Sequence, residues 1–336
     1  MAATPLTEPF SIGPVEVPNR VVLAPLAGIG NWFVRLQARR YGAGLTVSEM
    51  VSSFAIHHRN EKTMVELLRI HPDERAQAPA GPIAIQLFGQ DPDVMRSAAE
   101  TVAERGADLI DLNMGCPVPK VCKTGAGAAL IKDPDTAVAV ARAAREGSGL
   151  PVTVKLRSGA KTGEADGYVL AQRLVEEAGV SAIGFHPRSA QVHHKGTPDY
   201  DLAAKLVEEL PVPVILSGGL RDDERVLAAY EHTGAAAVML ARGALGNPWL
   251  FSRLLGLRDD APTDEEIVAE LEWVMDRAVE HLGEERAGRY LRKFYPWYLE
   301  RLGASKRRQE AFQRTATVAE ARALLAQPDA AFAAAA

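Results

Sequence analysis

Short apolar runs alternate with segments of helical periodicity over most of this chain. The runs end in polar or glycine residues, and the segments between them have apolar residues at helical spacing. That alternation predicts parallel βαβ units. The eight predicted strands are Val21 to Ala24, Leu45 to Glu49, Ile83 to Phe88, Leu109 to Asn113, Val152 to Leu156, Ala182 to His186, Val212 to Leu216 and Ala236 to Leu240. Since both alternating sets of positions are apolar, we expect both faces of each strand to be buried.

Helical segments are expected in seven of the intervals between these strands. After the third strand, Asp91 and Pro92 supply an N-cap and a helix start for a helix over Asp93 to Arg105. The interval between the second and third strands is less regular. A chain of 336 residues accommodates a (β/α)8 barrel of roughly 250 residues and an appendage. We predict an α/β fold of this TIM-barrel class, with a doubly wound open sheet as the structural alternative.

The alternation stops after Pro248, where the pattern becomes purely helical. One helix is predicted from Thr263 to His281 and a second from Ala287 to Arg301. We therefore expect a catalytic barrel over residues 1–255, a helical domain over residues 256–328 and a disordered, alanine-rich tail over residues 329–336.

The formal net charge of −5 argues against a uniformly basic surface that coats nucleic acid. The segment from Arg286 to Arg308 nevertheless has eight basic residues and one acidic residue. It reads equally well as a nucleic-acid contact and as a solvated helix face. No long apolar run and no signal-peptide pattern is visible, so we expect a cytoplasmic protein without a membrane partner. We also expect a monomer.

The predicted carboxyl ends of the strands hold the candidate chemistry, because barrel active sites form there. Small residues follow strands seven and eight, at Ser217, Gly218 and Gly219 and again at Ala241, beside Arg242. They let backbone N–H groups approach a phosphate. Lys155 and Gln86 end two other strands and suit the ring of a reduced flavin, so flavin mononucleotide (FMN) is the best candidate cofactor.

The chain contains two cysteines, Cys116 and Cys122, which make neither a disulfide framework nor a paired zinc motif. Cys116 lies in a loop that we expect to be exposed and to form a mobile lid, and a thiol there can donate a proton. We expect Cys122 to be buried, and His193 and His194 to lie on a solvated loop. No metal site is predicted.

The run Asp111-Leu112-Asn113-Met114-Gly115-Cys116-Pro117 resembles the signature of the tRNA-dihydrouridine synthases. The resemblance extends from Asn19 through Gly246-Asn247-Pro248-Trp249 to the helical tail. It implies a barrel with tightly bound FMN, NADPH as co-substrate, and a helical domain that grips tRNA. Cys116 then protonates C5 of uracil while hydride reaches C6.

The same resemblance implies roles for further residues. Flavin-binding positions fall on Pro25, Leu26, Ala27, Gln86, Lys155, His186, Ser217, Gly218, Gly219, Ala241 and Arg242; the substrate-binding candidates are Asn113, Arg188, Arg292 and Lys293. The family commonly has Asn-Gly-Asp where this chain has Ser217-Gly218-Gly219, so we expect FMN to be held there by backbone N–H groups. Three alternatives stay open: an FMN oxidoreductase acting on a small molecule, a lyase or aldolase with Lys155 as a Schiff base, and a non-catalytic tRNA-binding relative.

Overall fold

The predicted apolar runs form parallel strands in the computed structural model, which describes residues 3–332. The strands are β1 (Phe10–Ile12), β2 (Val15–Val17), β3 (Val21–Leu23), β4 (Leu45–Val47), β5 (Val51–Ser52), β6 (Ile83–Phe88), β7 (Leu109–Met114), β8 (Val152–Arg157), β9 (Ala182–His186), β10 (Val214–Ser217) and β11 (Ala237–Leu240). The order of hydrogen-bonded strands is β4, β3, β11, β10, β9, β8, β7, β6. The last strand of this series, β6, pairs with the first, β4. This closed ring confirms the predicted barrel.

The amino-terminal hairpin of β1 and β2 packs at one end of the barrel. Phe10, Ile12 and Val17 share a buried cluster with residues at the beginnings of strands, including Leu109 and Ala182. The hairpin therefore fills the amino-terminal end of the barrel interior, and the carboxyl ends of the strands are left for a site.

Helices surround the ring. They are α1 (Trp32–Arg40), α2 (Ser53–His57), α3 (Pro72–Ala76), α4 (Pro92–Glu104), α5 (Pro119–Cys122), α6 (Pro134–Ser148), α7 (Asp166–Ala178), α8 (Tyr200–Glu209) and α9 (Asp223–Thr233). The Asp91 side chain accepts the backbone N–H groups of Asp93 and Val94, which confirms the predicted N-cap of α4. The irregular interval after β4 contains β5, α2, a π-helix over Thr63–Leu67 and α3.

The chain divides into two compact units after Gly243, twelve residues before the expected boundary. The second unit is helical: α10 (Trp249–Leu254), α11 (Asp264–Leu282), α12 (Glu284–Leu291), α13 (Tyr295–Arg301), α14 (Lys306–Arg314) and α15 (Val318–Leu325). Thr263 caps α11 in a capping box.

One expectation for the carboxyl-terminal unit was wrong, namely the extent of its second helix. The helix predicted over Ala287 to Arg301 is broken into α12 and α13. Pro296 lies in the first turn of α13, where its missing N–H costs nothing, whereas inside one continuous helix it would remove a hydrogen bond. Residues 329–332 of the expected disordered tail form a short 3-10 helix, and the Asp329 carboxylate accepts the N–H of Ser305 at 3.0 Å. Residues 333–336 lie outside the described residues.

Within residues 3–332, none of the helices combines the length and the hydrophobicity that a bilayer-spanning segment requires.

Candidate active site

A cavity of about 440 Å³ opens at the carboxyl ends of the barrel strands. Most of the predicted site residues line it: Pro25, Leu26, Ala27, Gln86, Asn113, Cys116, Lys155, His186, Ser217, Gly218, Gly219, Ala241 and Arg242. The parallel strands place these side chains together because the carboxyl ends of all eight meet at one rim.

Two amide side chains, one from β6 and one from β7, form part of the cavity wall. Gln86 is buried and donates through Nε2 to Oδ2 of Asp111 at 2.6 Å. Its Oε1 accepts from Nδ2 of Asn113 at 2.9 Å. The Asp111 carboxylate lies behind the wall and accepts the Thr153 hydroxyl at 2.5 Å. Burial raises the pKa of Asp111 to about 6.

Cys116 lies directly after β7, and its backbone is held on both sides. Asn113 Oδ1 accepts its N–H at 2.9 Å, and its carbonyl accepts the N–H of Ala128 at 3.0 Å. The carbonyl also accepts the thiol of Cys122 at 3.3 Å. Burial raises the pKa of the Cys116 thiol, and a hydrogen bond from the Val118 backbone offsets this in part. The thiol is therefore protonated at neutral pH.

The loop around Cys116 differs from the exposed lid that we expected. Cys116 is half-buried, and the segment that follows contains α5 and a 3-10 helix over Gly127–Lys132. Gly127 has φ +63°, and a Cβ there would lie 2.8 Å from the Cys116 carbonyl oxygen. Cys122 is half-buried as well, rather than buried in a core. These close contacts fix the path of the loop.

Lys155 projects from β8 into the cavity and donates to the Ser217 hydroxyl at 3.1 Å. Burial, with the positive charge of Arg157 next in size, lowers the pKa of Lys155 to about 8. Arg157 itself donates to the carbonyl of Gly115 at 2.9 Å and to that of His193 at 2.7 Å. It therefore joins the loops that follow β7 and β9.

His186 ends β9 and is stacked against His194, with ring centroids 6.3 Å apart. Burial, with the charge of Lys155 next in size, lowers the pKa of His186 far below its ordinary value. Partial burial, followed by the positive charge of Arg242, lowers the pKa of His194 to about 4. Both rings are therefore neutral at pH 7. Arg188 does not line the cavity: it donates to the Gly196 carbonyl at 2.8 Å and lies 3.3 Å from His186 Nε2.

The turn after β10 is shaped by two glycines with positive φ, +99° at Gly218 and +83° at Gly219. A Cβ on Gly218 would lie 2.2 Å from Cδ2 of His186. Arg242 and Arg221 line the cavity beside this turn. Burial lowers the pKa of Arg242, and the positive charge of Arg221 contributes to the lowering. No aspartate or glutamate is present among the described residues that line the cavity. The cavity is therefore suited to an anion.

Sequence reasoning missed several of the lining residues, namely Met50, Arg157, His193, His194 and Arg221. His193 and His194 are exposed, as expected of a solvated loop, yet they border the cavity. Arg292 and Lys293 belong to the helical unit. The Arg292 guanidinium donates to the Thr315 carbonyl at 2.9 and 2.6 Å. Within residues 3–332, histidine, cysteine and acidic side chains form no cluster of three or more that could hold a metal ion.

Solved structures with a similar fold include two reductases. Morphinone reductase in complex with tetrahydroNAD is 17% identical, with a TM-score of 0.53 over 79% of this chain and 94% of that chain. A 2-naphthoyl-CoA reductase complex is 12% identical, with a TM-score of 0.60 over 75% of this chain and 52% of that chain. At these identities the likeness establishes the barrel fold.

Curated relatives match over most of the chain. The tRNA-dihydrouridine synthase B of Pseudomonas aeruginosa is 34% identical over 313 residues, 90% of each chain. That of Shewanella oneidensis is 33% identical over 322 residues, covering 93% of this chain and 95% of the relative. Residues 22–335 match the sequence model of the dihydrouridine synthases. This chain belongs to the dihydrouridine synthase family.

Proposed function

We propose that this protein is a flavin-dependent tRNA-dihydrouridine synthase, which reduces the C5–C6 double bond of uridines in tRNA with FMN as cofactor and NADPH as reductant. The observation that carries the proposal is the position of Cys116, a protonated thiol at the rim of a cavity bordered by basic groups. The relatives named above are tRNA-dihydrouridine synthases. We infer the substrate, tRNA, from the names of these relatives.

The cavity residues fit FMN. A volume of about 440 Å³ lies within the usual range for small-molecule sites. At Gly218 the space beside His186 admits no side chain, which favours close approach of the backbone to a phosphate. Arg242 and Arg221 supply charge at the same turn. We propose that the phosphate binds there and that Pro25 to Ala27 contact the ring.

FMN held by these cavity residues would, in its reduced form, supply hydride to C6 of uracil, and NADPH would restore that form. The protein supplies the proton. Cys116 retains its hydrogen on Sγ at neutral pH and can transfer it to C5. The two additions balance, because hydride at C6 and a proton at C5 together saturate the double bond.

Lys155 has a separate role in this proposal. Its ammonium group lies in the cavity wall, and the Ser217 hydroxyl fixes its direction. A negative charge on a bound ring would stabilise the ammonium and restore a higher pKa. Because the rings of His186 and His194 are neutral, Lys155 rather than either histidine would supply the positive charge beside that ring.

The helical unit is proposed to bind tRNA through its exposed basic side chains, among them Arg289, Lys293 and Lys306. Arg292 and Arg308 contribute less directly, because each donates to a carbonyl inside the unit. Phosphate contacts of this kind release counterions, so affinity for tRNA should fall steeply with salt. We propose a cytoplasmic monomer, since a single chain contains the whole cavity; light scattering of the purified protein tests the mass.

Absorbance of the purified protein, followed by anaerobic reoxidation of the NADPH-reduced form with unmodified tRNA, tests the proposal. We expect a flavin spectrum and reoxidation that requires both tRNA and Cys116, with Cys116→Ala as the comparison. A flavin that is indifferent to tRNA would instead favour an oxidoreductase acting on a small molecule. A protein that takes up no FMN would contradict the proposal.

A further inference from the structure

A chain of hydrogen bonds runs from a buried carboxylate to the backbone of Cys116. Asp111, 2% exposed, accepts the Thr153 hydroxyl on one oxygen and Gln86 Nε2 on the other, at 2.5 and 2.6 Å. Gln86 Oε1 accepts from Asn113 Nδ2, and Asn113 Oδ1 accepts the N–H of Cys116, both at 2.9 Å. Four consecutive partners are thus joined without a break.

The two ends of this chain determine its direction. A backbone N–H can only donate, and an ionised carboxylate can only accept. Burial raises the pKa of Asp111 to about 6, so above that pH the group is ionised. Each of the two amides between the ends has one donating and one accepting group. The two end groups therefore allow only one orientation of Gln86 and of Asn113 in which every hydrogen bond of the chain is made.

We propose that Asp111 is a positioning residue for the reduction: its carboxylate fixes the amide orientations of Gln86 and Asn113, and thereby the pattern of donors and acceptors that the cavity offers to a pyrimidine ring. Gln86 and Asn113 line the cavity, whereas Asp111 does not, so it acts through them. The inference rests on the proposed function for the identity of the ring, which belongs to FMN or uracil.

The consequence for a ligand follows from the unused capacity of the amides. Gln86 Nε2 has a second N–H and Gln86 Oε1 has a second lone pair. The second N–H of Asn113 is directed to Met50 Sδ at 3.6 Å, and Met50 also lines the cavity. Reversing both amides would exchange donors for acceptors at the cavity wall. It would also place Asn113 Nδ2 against the N–H of Cys116, so the loop would lose its anchor. Asp111 therefore couples cofactor recognition to the position of the thiol.

Thr153 supplies a matched control for a test of Asp111. In Asp111→Asn the new amide can turn either its oxygen or its nitrogen towards Gln86, because the Thr153 hydroxyl can accept as well as donate. In Thr153→Val the carboxylate is unchanged and still accepts from Gln86. Comparison of the two variants therefore separates loss of the carboxylate that sets the amide direction from simple loss of a buried polar group.

Two quantities are measured: the FMN dissociation constant of the apoprotein, and the rate at which iodoacetamide alkylates Cys116 in that apoprotein, followed by mass spectrometry. We expect Thr153→Val to change either quantity by less than about threefold, and Asp111→Asn by about tenfold or more. An effect of Asp111→Asn no larger than that of Thr153→Val would overturn the proposal.

Failure of the proposed function is distinguishable from failure of this inference. If the wild-type protein binds no FMN, the alkylation rates still decide whether Asp111 controls the Cys116 loop. If Asp111→Asn does not fold, Gln86→Met interrupts the chain of hydrogen bonds at its middle. We then expect the alkylation rate to change by about threefold or more, and an unchanged rate would overturn the inference.

Discussion

Gly218→Ala should weaken cofactor binding while leaving the barrel folded. The substitution places a Cβ 2.2 Å from Cδ2 of His186, where ordinary contact begins at 3.4 Å, so the ring and the turn must separate by about 1.2 Å. His186 cannot easily yield, because it is buried and packs beside Arg188. Alanine at φ +99° also costs about 1–2 kcal/mol.

A matched control separates the two costs. Gly163 has φ +82°, and no atom lies within 4 Å of a Cβ built there, so Gly163→Ala carries the backbone cost alone. We expect both variants to lose about 1–2 kcal/mol of unfolding free energy, with further loss for Gly218→Ala. Only Gly218→Ala should weaken FMN binding, by about a hundredfold for a loss near 3 kcal/mol.

The assay is a titration of each apoprotein with FMN, followed by quenching of flavin fluorescence, alongside thermal unfolding. The reasoning would be refuted if Gly218→Ala bound FMN as tightly as Gly163→Ala. Equal unfolding free energies of the two variants would also refute the steric part of it, since the clash at His186 would then have no cost.

Three other predictions concern Cys116, Lys155 and the basic residues of the helical unit. Cys116→Ala should retain the flavin spectrum but lose tRNA-dependent reoxidation by about a hundredfold or more, whereas Cys122→Ala, the matched cysteine variant, should stay within about threefold. The pKa of Lys155 in the folded protein is lowered to about 8, so above that pH the unfolded chain binds more protons than the folded protein. The free energy of unfolding of the apoprotein should therefore rise from pH 8 towards 10. Denaturant titrations of Lys155→Met should lack this rise. Lys306→Ala should reduce the salt dependence of tRNA binding by about one unit of slope without changing Tm, whereas Arg292→Ala, which loses two bonds to a carbonyl, should lower Tm by several degrees at about 1–3 kcal/mol.

The barrel and most of its rim could be predicted because both depend on position along a strand. Apolar runs locate the strands, and a residue at the end of a parallel strand must face the rim, which is why Lys155 and Gln86 were found. The hydrogen-bond partners of these residues could not be predicted in the same way. Arg157 and Arg188 each lie at or just beyond a strand end, yet only Arg157 lines the cavity, because Arg188 turns to the Gly196 carbonyl.

Asp111 shows what a linear pattern cannot supply. It lies inside β7 among apolar neighbours, and its partners Gln86 and Thr153 come from two other strands. Register between strands decides that contact, and no spacing within the sequence encodes it. The same limit applies to the basic segment from Arg286 to Arg308. Charge can be counted along the chain, but the carbonyl that Arg292 binds lies 23 residues away.

The surroundings of Cys116 favour an acid over a nucleophile, although its neighbours alone suggest the opposite. Lys155 and Arg157 both lower the pKa of the thiol, as cations do in sites where cysteine reacts as a thiolate. Burial is the larger influence and acts in the other direction, so the proton stays on sulfur. Filling the cavity with an anion would act in the same direction as burial, because nearby negative charge disfavours a thiolate. A phosphate bound at the basic rim, as proposed, would therefore make the rim less able to ionise Cys116, and the thiol would remain able to donate a proton with the ligand in place.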